Sequence, residues 1–164
     1  MDYKNYVKKI EVPAGFSAPT QLFCENLVAK PLSRDDLDAD MAAVNSSLEI
    51  IRKTRGGAWP SEPVTVEFDS LDLAWHEREF RDGSSFAYVI YDDSKQYIGC
   101  FYLYGMGHRT ELDDELIKYQ VDASWWVSSD AYNKGYYRKV QTALHGWLEN
   151  DFGFSSVYFS NLEQ

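Results

Sequence analysis

Apolar residues recur along this chain at two spacings, and each spacing predicts its own kind of element. Leu37, Met41, Val44 and Leu48 repeat at helical intervals, so they form one face of a helix turned toward a core. Ser33 precedes that helix as its cap, with Asp36 in the acid position of a capping box and Leu32 and Leu37 as a hydrophobic staple. A second helix is predicted over Ser70–Arg81, with Asp69 or Ser70 as cap. Its apolar stripe is thin, because Leu73 and Phe80 share a face with His76 and Glu77, which places it at the rim of the fold. A third helix runs from Tyr136 to about Asn150, with Val140, Ala143, Leu144, Trp147 and Leu148 on one face.

The other rhythm is that of strands. Ser85–Tyr91 and Tyr97–Tyr104 are rich in β-branched and aromatic residues, and Asp92–Gln96 between them supplies a turn, which predicts a hairpin. Leu22–Ala29, Tyr119–Val127 and Ser156–Ser160 read as further strands. Lys53–Pro63, with two glycines and two prolines, and the acidic stretch Gly105–Lys118 read as loops. Met1–Gln21 is an irregular arm. The resulting order, β-α-α-β-β-β-α-β, predicts an α+β domain spanning residues 1–164, with a mostly antiparallel central sheet, helices on both faces and one parallel strand pair at its C-terminal end. A sheet that stops after Ser156–Ser160 leaves an edge that can pair with another chain, so a homodimer or a partner strand is expected there.

Composition narrows the partners. The formal charge is −10. Such a surface repels a phosphodiester backbone, which argues against nucleic acid, and it attracts a cationic amine. Cys24 and Cys100 both sit in apolar runs, as free buried thiols do. No apolar run approaches the roughly 20 residues of a membrane span, and Met1–Ile10 lacks a signal-peptide core. No membrane association and a cytoplasmic location are therefore expected. Aromatic residues make up 16% of the chain, enough to fill a wide core and to line a pocket as well.

The chemistry concentrates near the C-terminus. A strand, a turn carrying Asn133, Lys134 and Gly135, and a helix start at Tyr136 follow one another. That sequence aims backbone N–H groups and the positive end of a helix dipole at one spot, a place for a phosphate or another anion. No His, Cys, Asp or Glu residues have metal-ligand spacing, so no metal is expected. Nor does a Gly-x-Ser-x-Gly elbow accompany Ser84 and Ser85, which argues against a serine hydrolase.

Several segments together resemble the GNAT superfamily of acyl-CoA-dependent N-acetyltransferases, over roughly residues 22–160. Asp122-Ala-Ser-Trp-Trp-Val127 looks like that family's fourth strand, particularly in relatives that acetylate ribosomal-protein N-termini. Tyr132-Asn-Lys-Gly-Tyr-Tyr137 falls where the family has (Gln/Arg)-x-x-Gly-x-(Gly/Ala). Trp75-His-Glu-Arg-Glu-Phe80, Phe86-Ala-Tyr and Ile98-Gly-Cys-Phe-Tyr102 are similar to one subgroup. The resemblance implies a GNAT-type fold and transfer of an acetyl group from acetyl-CoA to a small-molecule or peptide amine. It implies that the backbone of Trp126 and Val127 faces pantetheine. It further implies that Asn133, Lys134, Gly135, Tyr136, Tyr137 and Arg138 surround the pyrophosphate, with Lys134, Arg138 and Lys139 adding positive charge.

The motif departs from the family at Tyr132 and at Tyr137, where the family has a small residue that lets the backbone approach the phosphates. The direction of the Tyr137 ring therefore decides how open the turn is. The chain also stops at Gln164, soon after the fifth family strand, where relatives continue into a helix that often carries the tyrosine protonating the leaving thiolate. These departures leave a second reading open, a non-catalytic GNAT-fold binding or interaction module. Within the enzyme reading, Asp122 is the candidate base that takes the proton of the attacking amine. His76 and Glu79, three apart on one helix, are the candidate acceptor-binding residues. His108 and His145 read as structural or solvated. Trp125 and Trp126 alternate across their strand, so one should enter the core and the other a cleft.

Overall fold

The computed structural model describes Tyr3 and residues 6–164. Met1, Asp2, Lys4 and Asn5 of the predicted arm lie outside the described residues. Six strands form one sheet in simple chain order. They are β1 (Leu22–Cys24), β2 (Leu27–Pro31), β3 (Phe86–Asp92), β4 (Tyr97–Tyr104), β5 (Val121–Val127) and β6 (Val157–Phe159). All neighbours are antiparallel except β5 and β6, which run parallel. Helices α1 (Leu37–Asn45), α2 (Leu48–Thr54) and α3 (Val66–Asp82) lie between β2 and β3 in sequence, and α4 (Ser129–Asn133) and α5 (Tyr136–Gly146) lie between β5 and β6. Among the described residues no helix is long and apolar enough to cross a membrane.

Both faces of the sheet are covered, and strand alternation sorts the residues between them. Phe101, Leu103, Ala123, Trp125 and Val127 turn toward α5 and pack with Val140, Leu144 and Trp147. Cys100, Tyr102, Tyr104 and Trp126 turn the other way and pack with Val44, Ile51 and Leu73 of α1–α3. Trp147 is buried and its Nε1 donates to the Phe23 carbonyl at 3.0 Å. Both tryptophans of β5 are fully buried, one in each core. The expectation that one of them opens into a cleft is therefore corrected, since a sheet covered on both faces buries both sides of its central strands.

Local signals place most boundaries. The Ser33 capping box forms as its residues predict, with the Asp36 carboxylate accepting from Ser33 N at 3.0 Å. The single predicted strand over Leu22–Ala29 is instead a tight hairpin. Glu25 takes a left-handed φ of 51° there, and no glycine or proline announces the turn. The helix predicted through Leu48 breaks at Ser46 and Ser47, giving α1 and α2. Helix α3 begins earlier than predicted, because Thr65 rather than Asp69 or Ser70 caps it, its side chain accepting from Phe68 N at 3.1 Å. Its end at Gly83, φ 72°, is a left-handed cap. The predicted turn between β5 and α5 contains the short helix α4, capped by Ser128.

The core on the α1–α3 side holds one costly feature. Asp40 and Asp69 are both buried where α1 and α3 meet. Tyr97 donates to Asp40 Oδ1 at 2.5 Å, whereas neither oxygen of Asp69 meets a conventional donor. Burial, and then the neighbouring Asp69 charge, push the Asp40 carboxyl well above the usual carboxylate range. Burial does the same to Asp69. Two carboxyls in such a place hold a proton between them. The folded state therefore binds more protons than the unfolded chain above about pH 4, and stability falls as pH rises until the pair is ionised. Asp69→Asn replaces one charge with an amide that can donate to Asp40. The variant should be more stable than the wild type at pH 8 by about 1 kcal/mol or more, with a smaller gain at pH 5. Urea melts at the two pH values check this, and an equal effect at both would remove the shared proton from the account.

Candidate active site

The site grows from the place where two parallel strands part. β5 and β6 pair only from Val121 to Ala123, opposite Val157 to Phe159, and Ser160 N still reaches the Ala123 carbonyl at 3.0 Å. Beyond that point the edge of β5 away from β4 has no strand beside it. The Asn161 side chain takes over at Trp125, its Oδ1 accepting from Trp125 N at 3.0 Å and its Nδ2 donating to Trp125 O at 2.9 Å. Along a strand, successive residues turn their backbone groups to opposite edges. Trp125 faces the open edge and Ser128 N bonds to Ile98 of the neighbouring side at 2.9 Å. The backbone of Val127 thus faces the open edge, while that of Trp126 faces β4. Of the two residues expected along pantetheine, only Val127 turns its backbone to the open edge, and the reason is this alternation.

On the α5 side of the opening lies the turn before that helix. Gly135 has φ 85°, and a Cβ built on it would meet nothing within 4 Å. It is the helix's N-cap and makes no side-chain cap bond. Among the described residues no acceptor meets the N–H groups of Tyr136, Tyr137 or Arg138. Three free donors at the start of an eleven-residue helix, with open space beside them, suit a phosphate. The Tyr137 ring turns away from this space. It is buried against Trp125, with ring centroids 5.2 Å apart, and its hydroxyl bonds to Glu163 O and Asn161. The departure at Tyr137 therefore leaves the turn uncrowded. Tyr132, the other departure, spends its hydroxyl on Glu163 Oε2 at 2.9 Å. Asn133 and Lys134 are exposed, Lys134 paired with Asp130 at 2.8 Å. Arg138 is exposed and bonds Gln141 at 2.8 Å. The Tyr136 hydroxyl accepts from Asn26 Nδ2 at 3.0 Å.

On the opposite face of the sheet a cavity of about 500 Å³ opens between α2, α3 and the ends of β4 and β6. Its floor is Tyr102 and Tyr104, whose rings stack 6.0 Å apart. Arg55 and Arg109 form one wall, and Asp72 and His76 of α3 form another. His108 stands at its exposed rim, stacked on Tyr104 at 4.3 Å. Partial burial, and then the Arg55 charge, hold the His108 imidazole below its usual range. His76 is buried, with Asp72 Oδ2 3.5 Å from its Nε2 and no partner for its Nδ1. Among the described residues no group of three or more His, Cys, Asp and Glu side chains is arranged to hold a metal.

The expected residues divide. His76 faces the cavity and Glu79 does not line it. Its Oε2 lies 3.9 Å from Nη2 of its chain neighbour Arg78. Asp122 is fully buried and stands behind the cavity wall rather than in it. Its Oδ1 accepts from Ser160 Oγ at 2.7 Å, and Ser160 in turn accepts from Arg109 Nη1 at 2.6 Å. Burial raises the Asp122 carboxyl, opposed by the Ser160 bond and the charges of Arg109 and Arg55. Arg55, Arg109, Tyr104 and the rim histidine were not legible as a site. They come from a loop, a strand and another loop, and no spacing links them. The pairing of Asp72 with His76, four residues apart on one helix, was the one signal available.

A family model described as an acetyltransferase (GNAT) domain matches residues 26–163. A comparison with curated protein sequences returns no match. Solved structures are similar in fold at low identity. The ribosomal-protein-S5-alanine acetyltransferase of Vibrio fischeri aligns with TM-score 0.62 and 11% identity, over 85% of this chain and 72% of that one. RimL, a ribosomal L7/L12 alpha-N-protein acetyltransferase in complex with coenzyme A, aligns with TM-score 0.58 and 13% identity, over 88% and 71%. A variant of the spermidine N-acetyltransferase of Vibrio cholerae aligns with TM-score 0.55 and 19% identity, over 82% and 69%.

The chain of bonds from Arg109 through Ser160 to Asp122 sets an expectation for stability. Asp122→Ala leaves a cavity and frees the Ser160 hydroxyl, and should cost about 1–3 kcal/mol. Asp122→Asn keeps an acceptor for Ser160 and should cost less than half as much. Chemical denaturation of the two variants tests the order, and equal losses would mean that the bond chain does not hold the wall.

Proposed function

The chain belongs to the GNAT acetyltransferase family, and on that premise we propose a division of labour for its transfer of an acetyl group from acetyl-CoA to an amine. The donor lies along the opening beside β5. The N–H groups of Tyr136, Tyr137 and Arg138, with Gly135, hold its pyrophosphate, and the Val127 backbone meets its pantetheine. The observation that carries this reading is the set of three unpartnered helix-start N–H groups beside an empty left-handed glycine. Charge-assisted bonds from backbone N–H to phosphate are among the strong ones. Acetyl-CoA supplies the activated thioester carbon, and binding, orientation and proton removal fall to this chain's own backbone and side chains.

The acceptor enters the cavity on the α3 side, where His76 and Asp72 orient it. Attack needs an uncharged amine, so a proton must leave. His108 is the group at the cavity whose environment keeps it neutral and able to take one. Asp122, the residue first expected as base, acts instead by holding Ser160 and Arg109 in place, because its carboxylate is buried behind them. The cavity base takes one proton of the ammonium, the neutral amine forms the amide bond as the thioester C–S bond breaks, and the remaining N–H proton passes to the coenzyme A sulfur, which leaves as the thiol. Any pairing of two chains along the open edge of β6 is separate from this chemistry and remains an expectation for sedimentation to measure.

Two measurements test the assignment. Gly135→Val puts a branched side chain in a left-handed backbone conformation beside the phosphates. It should weaken coenzyme A binding by at least about tenfold, roughly 1.4 kcal/mol, in calorimetry. Equal affinity would take the turn out of the mechanism. A protein that binds coenzyme A but transfers no acetyl group to any amine would support the non-catalytic reading instead.

His108→Gln should lower kcat/KM by about 10²–10⁴-fold. In the wild type kcat/KM should fall on the acid side only as pH drops through the His108 value. That value lies below the usual 6.5, so the plateau should extend below pH 6.5. The glutamine variant should lose this acid limb, and a limb unchanged in the variant would exclude His108 as the base.

A further inference from the structure

The most unusual group at the cavity is Arg55. It is only 7% exposed, yet it carries a permanent charge. Its Nε donates to Ser124 Oγ at 3.0 Å, and its guanidinium lies 4.5 Å from the centre of the Tyr102 ring and 5.9 Å from that of Trp59. Among the described residues its two terminal nitrogens meet no acceptor, and no carboxylate lies within 4.0 Å of either Arg55 or Arg109. Arg109 spends its own donors on Ser160 and on the carbonyls of Arg55 and Gly56, at 2.6, 3.3 and 3.3 Å. The nearby acids are engaged elsewhere, Asp72 with His76 and Asp122 with Ser160. A buried cation without a counter-ion is costly. Here its free donors face a cavity that something else must fill.

We propose that the acceptor is an amine that also carries a carboxylate, and that Arg55 binds that carboxylate through its two free terminal nitrogens while the amine points toward His108 and the opening beside β5. This rests on the acetyltransferase reading above and names the substrate class for its acceptor side. The planar guanidinium fork matches a carboxylate with two parallel bonds. A cavity of about 500 Å³ suits an acceptor of amino-acid size together with the acetyl end of the donor. The protein's overall charge of −10 predicts a cationic acceptor, but the wall of this cavity has the opposite sign. The same overall charge disfavours a doubly charged phosphate more than a singly charged carboxylate. A polyamine such as spermidine offers Arg55 nothing and would add cations beside it.

The test uses matched acceptors and the full chain. Tyrosine and histidine are compared with tyramine and histamine, which differ only by the carboxylate. The dipeptide amides Ala-Glu-NH2 and Ala-Gln-NH2, O-phosphoethanolamine and spermidine complete the panel. Binding is read directly by calorimetry without acetyl-CoA, and KM is read separately by thiol release with it. The expected result is at least one carboxylate-bearing amine that binds about tenfold or more tightly than its counterpart lacking the group. Arg55→Met should erase that difference while leaving coenzyme A affinity within about twofold, and Arg55→Lys should restore part of it. Preference for tyrosine or histidine assigns a free amino acid, and preference for Ala-Glu-NH2 over Ala-Gln-NH2 assigns an acidic peptide. Either outcome supports the proposal. Equal or tighter binding of the decarboxylated amines or of spermidine overturns it, as does preference for O-phosphoethanolamine or failure of every carboxylate to bind. The wild-type panel decides even if Arg55→Met does not fold. Loss of coenzyme A binding would sink the transferase reading instead, and calorimetry of the acceptors alone keeps the two failures apart.

Discussion

Backbone polar groups must find partners, and the strand ladder cannot supply them where β5 and β6 part after Ala123. A ladder that ended there with nothing beside it would leave buried N–H and C=O groups unpaired. Asn161 supplies a side-chain amide to Trp125, and Tyr137 steadies Asn161 from below at 2.8 Å. The two features of the site follow from this opening. On one face it leaves the start of α5 with free N–H donors beside Gly135. On the other it leaves the cavity above Tyr102 and Tyr104 with Ser160, the residue just past β6, in its wall. In the proposed function, donor and acceptor approach from opposite faces of one sheet and meet where the sheet is open.

Electrostatics at that meeting point run against the average of the molecule. A chain with 26 acidic and 16 basic side chains carries a negative field at long range. Within a few ångströms of Arg55 and Arg109 the sign is reversed, and partial burial strengthens the local effect because water screens it less. Burial, and then repulsion from the Arg55 guanidinium, pull Arg109 down to about 10. Burial comes first among those causes, as it does for His108 and Asp122. Net charge therefore governs encounter, while the few charges that face the cavity govern what stays bound.

Much of the fold was legible because it rests on local rules. The Ser33 capping box, the turn Asp92–Gln96 and the amphipathic stripe through Val140, Leu144 and Trp147 each follow from neighbours in sequence. The errors fell where tertiary context competes with such rules. Glu25 adopts a left-handed turn without a glycine, splitting one expected strand in two. One of Trp125 and Trp126 was expected toward a cleft, yet both are buried, Trp126 packing with residues of α1–α3 and donating its Nε1 to the Tyr102 hydroxyl at 2.9 Å.

The sequence by itself determined the two rhythms of apolar residues, the order of elements and the strand–turn–helix with Gly135, and its motifs carried the resemblance to the family. These depend on spacings of a few residues, which a single chain records directly. Only the tertiary structure decided what faces the site. Asp122 went behind the wall because β5 is central and β6 covers its end. Tyr137 turned inward because Trp125 and Asn161 offer its ring and hydroxyl a home. Arg55 and Arg109, 54 positions apart, came to share one cavity only through the packing of α2 against the strands. Distances of that kind are set by how helices and sheet close on one another, and no local pattern records them.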